Sequence, residues 1–151
     1  MRTFVFLHVL TMFGAVAISG GIDLLILRIA KTHDIASIHS AFEARYRIGR
    51  FIPVLFGTGL VFGLIAIFVE HFDPFAGWLL LAYPLFVAGI LTGLLGIARW
   101  AERVRVATAT ATQGDPEVIA LLDTPSVRYA TAVFWLLIAA LVFVMIMKPS
   151  V

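Results

Sequence analysis

The sequence predicts an all-α integral membrane protein, a four-helix bundle, and three observations carry that reading. Apolar residues make up 62% of its 151 residues and charged residues only 13%, with a strongly positive mean hydropathy, outside the range of ordinary soluble domains. A helix needs about 20 mostly apolar residues to cross a bilayer, and four segments approach or exceed that length, residues 4–27, 51–69, 78–98 and 129–147. Lysine and arginine gather in the first and third connections, whereas the second, "EHFDPFAG", has neither. Because Lys and Arg are enriched in inner loops, connections one and three are expected inside and both termini outside, in a single membrane domain covering residues 1–151. The basic residues thus need no nucleic acid to explain them, and the expected partner is the lipid bilayer.

The first span begins "FVFLHVLTMFGAVAISGG". With Arg2 in front and "AVA" behind, it has the outline of a signal peptide cleaved after Ala17. Its apolar character continues through "IDLLILRIA" with no polar cleavage region, so it reads as a retained helix. The next stretch, "KTHDIASIHSAFEARYRIGR", places Ile35, Ile38, Phe42 and Tyr46 three or four apart behind Asp34, a good N-cap. An amphipathic helix at the inner interface, between spans one and two, is the expectation.

Spans two and three carry "GLVFG" (Gly59 to Gly63) and "GILTG" (Gly89 to Gly93), spacings that let helix backbones approach closely and predict tight packing of these helices. Pro84 should kink span three. In the third connection "ATATATQG" reads as a polar linker with no base beside Thr108, Thr110 and Thr112, and "DPEVIALLD" as a short helix capped by Asp115.

On a helical wheel His8, Thr11, Met12, Ala15, Ser19 and Asp23 share one side of span one, facing the bundle. His8 falls roughly 6 Å inside the outer boundary by helical rise. Ionisable residues at membrane depth are functional candidates. Tyr83, Met145 and His71 fall in the same outer layer, and four readings stand side by side. His8, Met12 and Met145 offer soft imidazole and thioether ligands to copper as Cu(I). Haem b takes His8 as an axial ligand, with Met145, His71 or no protein group opposite. His8 and Tyr83 could instead hydrogen-bond a quinone head group, or His8 could simply bond a neighbouring helix. Asp23 is expected to pair with Arg28, Arg50, Arg99 or Arg128. His71 with Glu70 and Asp73 reads as a solvated turn, and His33 and His39 as surface residues. With no cysteine, thiolate sites, disulfides and covalently attached haem are excluded. No hydrolase, zincin or phosphate-loop motif is present, so an enzyme is disfavoured.

The fragments "FLHVLTMFGAVAISGG", "GRFIPVLFGTGLVFGL", "WLLLA" and "MIMKP", in this order, resemble the DUF2269 family of four-span bacterial membrane proteins. That family is distantly similar to the copper-resistance D protein and the membrane protoporphyrinogen oxidase. The resemblance implies a bacterial inner (plasma) membrane location and makes His8, which matches a haem-binding histidine of the oxidase group, the position to examine. It leaves two expectations open: a small protein binding haem b or a metal near the outer face, for electron transfer or metal handling, and a non-catalytic accessory subunit of a larger membrane complex. A homo-oligomer is a further expected assembly.

Overall fold

The computed structural model describes residues 2–148, and they form helices and turns with no strand among them. In order these are α1 (Thr3–Ala30), α2 (Ile35–Gly49), α3 (Ile52–Val69), α4 (Gly77–Leu91), a π-helical segment (Thr92–Ala98), α5 (Arg99–Thr108), α6 (Pro116–Leu122) and α7 (Pro125–Met147). Joined across short breaks, they make four helices long and apolar enough to cross a membrane: Thr3–Ala30, Ile35–Val69, Gly77–Thr108 and Pro116–Met147. Each outruns the apolar segment that announced it, because the helical backbone keeps its hydrogen bonds beyond the point where the side chains turn polar.

The chain divides into two compact units. The first takes in the chain up to Phe72 together with Arg105–Pro116, and the second Asp73–Val104 with the chain from Glu117 onward. In the first unit α1 packs against α2 and α3 in turn. Phe4 stacks near Phe62 with ring centroids 6.4 Å apart, His8 meets Gly59, and Asp23 meets Arg45. Residue numbers rise on one side as they fall on the other, which defines an antiparallel hairpin. The amphipathic α2 forms as the periodicity predicts, burying Ile35, Ile38 and Phe42, with the Asp34 side chain accepting from the Ser37 amide. It lies lengthwise on α1 and runs into α3 through a short break at Arg50 and Phe51. The first unit is therefore one long helical hairpin.

The second unit repeats the arrangement. Lys148 Nζ lies 5.1 Å from the Trp78 ring centroid, and the Trp100 indole N–H donates to the Leu121 carbonyl at 2.9 Å. Between them, Gly93 and Gly96 face Phe134 and Ala130 of α7. The helix α4 continues through Pro84, and a π-helical segment follows it.

The glycine spacings were expected to mark close helix packing of spans two and three; within each unit Gly59 and Gly63 receive α1, and Gly93 receives α7. Small residues open a groove for whichever helix the turn supplies, and a hairpin supplies the sequential neighbour.

Candidate functional site

His8 lies on the face of α1 turned to α3, partly buried. Its Nδ1 sits 2.7 Å from the Gly59 carbonyl oxygen. A carbonyl can only accept, so Nδ1 carries the proton and donates, while Nε2 has no hydrogen-bond partner among the described residues. Gly63 forms the floor beneath the ring: a Cβ there would come within 2.8 Å of Nδ1 and 3.0 Å of Cε1. One turn earlier on α3, a Cβ at Gly59 would meet Met12 Cγ, Met12 Cε and Thr11 Oγ1, each at 3.0 Å. The two α3 glycines thus seat the polar stripe of α1 residue by residue. Thr11 makes no demand on α3, since its hydroxyl donates within α1 to the carbonyls of Leu7 (2.7 Å) and His8 (3.0 Å).

The structure therefore groups His8, Thr11 and Met12. Tyr83 and Met145 belong to the second unit. The Tyr83 hydroxyl, where a quinone contact was expected, donates to the Pro74 carbonyl at 3.3 Å. His71 is exposed in the turn after α3, with a positive φ of 55°. Among the described residues no three His, Asp or Glu side chains gather as a metal site. Of the expected donors, the first unit brings His8 and Met12 to the face of α1 that meets the α3 glycines. Metal-ligating histidines commonly donate their other ring N–H to a carbonyl, and His8 already does so.

Asp23 finds Arg45, at 3.8 Å, and none of the four arginines expected from the sequence. The reason is the register: α2 lies beside this turn of α1. Arg45 Nε is buried without a hydrogen-bond partner among the described residues, so the pair is loosely matched. It works as a tie between two helices, which no isolated feature of "SGGIDLL" could disclose.

The third connection also differs from the linker that its composition suggested. Thr108 is the last residue of α5, 4% exposed, with its Oγ1 3.2 Å from His39 Nδ1. Beyond it the Gln113 carboxamide accepts from the Ile35 amide at 3.1 Å and donates to the His33 carbonyl at 2.9 Å, capping α2. Arg105 bonds Glu43 at 2.7 Å and covers the Tyr46 ring, its guanidinium carbon 4.6 Å from the centroid. Asp34, outside the spans, has its carboxyl held below the ordinary carboxylate range, first by the bond from the Ser37 hydroxyl. His39 is thus bonded, not merely a surface residue, and one end of the first unit is closed by polar contacts.

The class these features define is an all-helical protein of two antiparallel hairpins whose four long helices are apolar enough to cross a membrane. No protein-family model, curated protein or solved structure matches the chain.

Proposed function

We propose that this chain is a multi-pass protein of the bacterial inner membrane, with both termini outside, in which His8 supplies the protein ligand to haem b or a metal ion near the outer face. The observation that carries the reading is the His8 Nδ1–H bond to the Gly59 carbonyl, which fixes the tautomer and leaves Nε2 as a ligand atom. The resemblance to the DUF2269 family and the inward polar stripe support it. Haem, when bound, supplies one-electron exchange. The chain's own part is to orient the imidazole, through the Gly59 carbonyl and the floor at Gly63. Electron transfer, or metal handling where the ion is copper, is the activity proposed.

The test is an oxidised and reduced visible spectrum of detergent-purified protein, with elemental analysis for iron and copper. A Soret band or near-stoichiometric copper is expected. His8→Ala should abolish it with helix content unchanged, and Gly63→Ala, whose new Cβ displaces the ring, should weaken or shift it. Metal-free, colourless protein purified from cells supplied with haem and copper would overturn the proposal.

A second reading, an accessory subunit of a larger complex or a homo-oligomer, is favoured by one observation. Gly14 and Gly21 of α1 have nothing within 4 Å of a would-be Cβ, and Ala17 between them is exposed, a face open to close approach by another membrane helix. Native extraction with crosslinking at these positions should recover a partner; a solitary monomer counts against it.

A further inference from the structure

The hairpin of the first unit holds an open groove of about 510 Å³ where the last turns of α1 lie beside the first turns of α2. Leu25 and Ile29 line it from α1, and Ala36, Ser37, Ser40 and Ala41 from α2. Its α1 wall is apolar, Leu25 being 54% exposed, while its α2 wall carries two hydroxyls. Those hydroxyls differ: Ser37 is engaged with the Asp34 carboxylate, and Ser40 has no side-chain bond among the described residues.

Cations bracket the groove. Arg28 stands between Leu25 and Ile29 in sequence, and Lys31 follows where α1 ends; both are exposed, and neither is ion-paired among the described residues. On α2, Arg47 lies seven residues beyond Ser40, on the same helix face, exposed and likewise without an ion pair among the described residues. Since Arg45 opposes Asp23, Arg47 falls at the level of Gly21, on the side of the groove toward the apolar middle of α1. Between Ser40 and Arg47 this face carries the neutral Ala44, the nearby carboxylate of Glu43 is bonded to Arg105, and the Asp34 carboxylate beside Ser37 is one negative charge against Arg28, Lys31 and Arg47, so the charge balance stays positive.

Position along the hairpin says what this combination meets. The helix α1 is about 42 Å long at 1.5 Å per residue, against a hydrocarbon core of about 30 Å. With the apolar N-terminal part of α1 in hydrocarbon, Leu25 to Ile29 fall in the head-group layer. There an apolar wall at Leu25, an available hydroxyl at Ser40 and the cations Arg28 and Lys31 at and beyond its level match one chemistry: acyl chain, glycerol and phosphate.

We infer that this groove binds the head-group region of an anionic phospholipid, with first methylenes against Leu25 and phosphate beside the Ser40 hydroxyl and the cations Arg28 and Lys31. The inference rests on the membrane reading of the chain and is independent of the haem reading. A lipid held there ties the end of α1 to α2 where the protein's own tie, Asp23 to Arg45, is long.

Delipidated protein in detergent is titrated with phosphatidylglycerol or phosphatidylcholine and followed by native mass spectrometry and thermal midpoint. Saturable binding of phosphatidylglycerol with a rise in midpoint is expected, and little response to phosphatidylcholine. The Arg28→Gln/Lys31→Gln variant, altered only at exposed residues, should bind phosphatidylglycerol about tenfold more weakly at unchanged helix content. Ser40→Leu, which fills the groove, should lose the saturable step. Equal binding of the two lipids, undiminished binding by both variants, or the same midpoint rise from glycerol phosphate or inorganic phosphate would each overturn the inference. Failure of the membrane reading shows separately, as release of the protein from membranes by alkaline carbonate.

Discussion

A histidine inside an apolar run is conspicuous because burying an imidazole without a partner costs free energy, so His8 must have an acceptor or a ligand. What the run could not reveal is that the acceptor is a backbone carbonyl 51 residues away. A carbonyl leaves no mark on the sequence; the clue was indirect, in the four-residue spacing of Gly59 and Gly63, which matches that of His8 and Met12. Asp34 is the opposite case, since its capping role is local and its spacing to Ser37 is legible. Its native carboxyl is lowered by the Ser37 hydrogen bond, so the stabilisation is fully present above the unfolded value near pH 4 and is lost as pH falls through the lower native value. Thermal unfolding of the wild type and Asp34→Asn between pH 7 and 2 checks this. Asparagine still caps but cannot titrate, so the wild type should lose its advantage below about pH 4, and the two midpoints should converge there.

At the scale of the element, helix existence was readable and helix partnership was not. Both faces of α3 are apolar, because lipid and a neighbouring helix ask for the same side chains, so no periodicity points to the interface. Only the glycines discriminate, and they do so by what a Cβ would strike. At Gly96 it would come within 2.8 Å of Ala130 Cβ, a fixed atom that cannot rotate away. Gly96→Ala should therefore destabilise the second hairpin by about 1–3 kcal/mol, the usual cost of overpacking. Ala130→Gly in the same chain removes the opposing atom and should recover part of the loss, less the roughly 1 kcal/mol helix penalty of the new glycine. Gly14→Ala, with nothing within 4 Å, serves as the control and should be neutral or slightly stabilising. Chemical unfolding in detergent of the wild type, Gly96→Ala, Ala130→Gly, the double variant and Gly14→Ala gives the comparison; additivity of the two substitutions in the second hairpin would remove the contact as their cause.

Over the whole molecule, four long helices were legible from composition, while their grouping into two like hairpins was not, because the contacts that define each, such as Asp23 with Arg45 or Trp100 with Leu121, join residues far apart in sequence. Charge follows this plan. Arg28 and Lys31 lie at the turn joining α1 to α2 and Arg45, Arg47 and Arg50 on the last turns of α2 and its end, while Arg99, Arg103 and Arg105 lie on α5 and Arg128 in the first turn of α7. The turn between the hairpins, Glu70 to Ala76, carries Glu70 and Asp73 and no Lys or Arg. The positive-inside bias acts on such short connections, so both basic turns should face the cytoplasm and the acidic one the opposite side. The chain has no cysteine, so single cysteines report their own side without background. Thr110 and Phe75 are exposed positions in the two kinds of turn. In intact cells a membrane-impermeant maleimide should label Phe75→Cys and leave Thr110→Cys unlabelled until the membrane is opened. The reverse pattern would invert the topology and move His8 from the outer to the inner layer; labelling of both in intact cells would place the two turns on the same side and break the four-span plan itself.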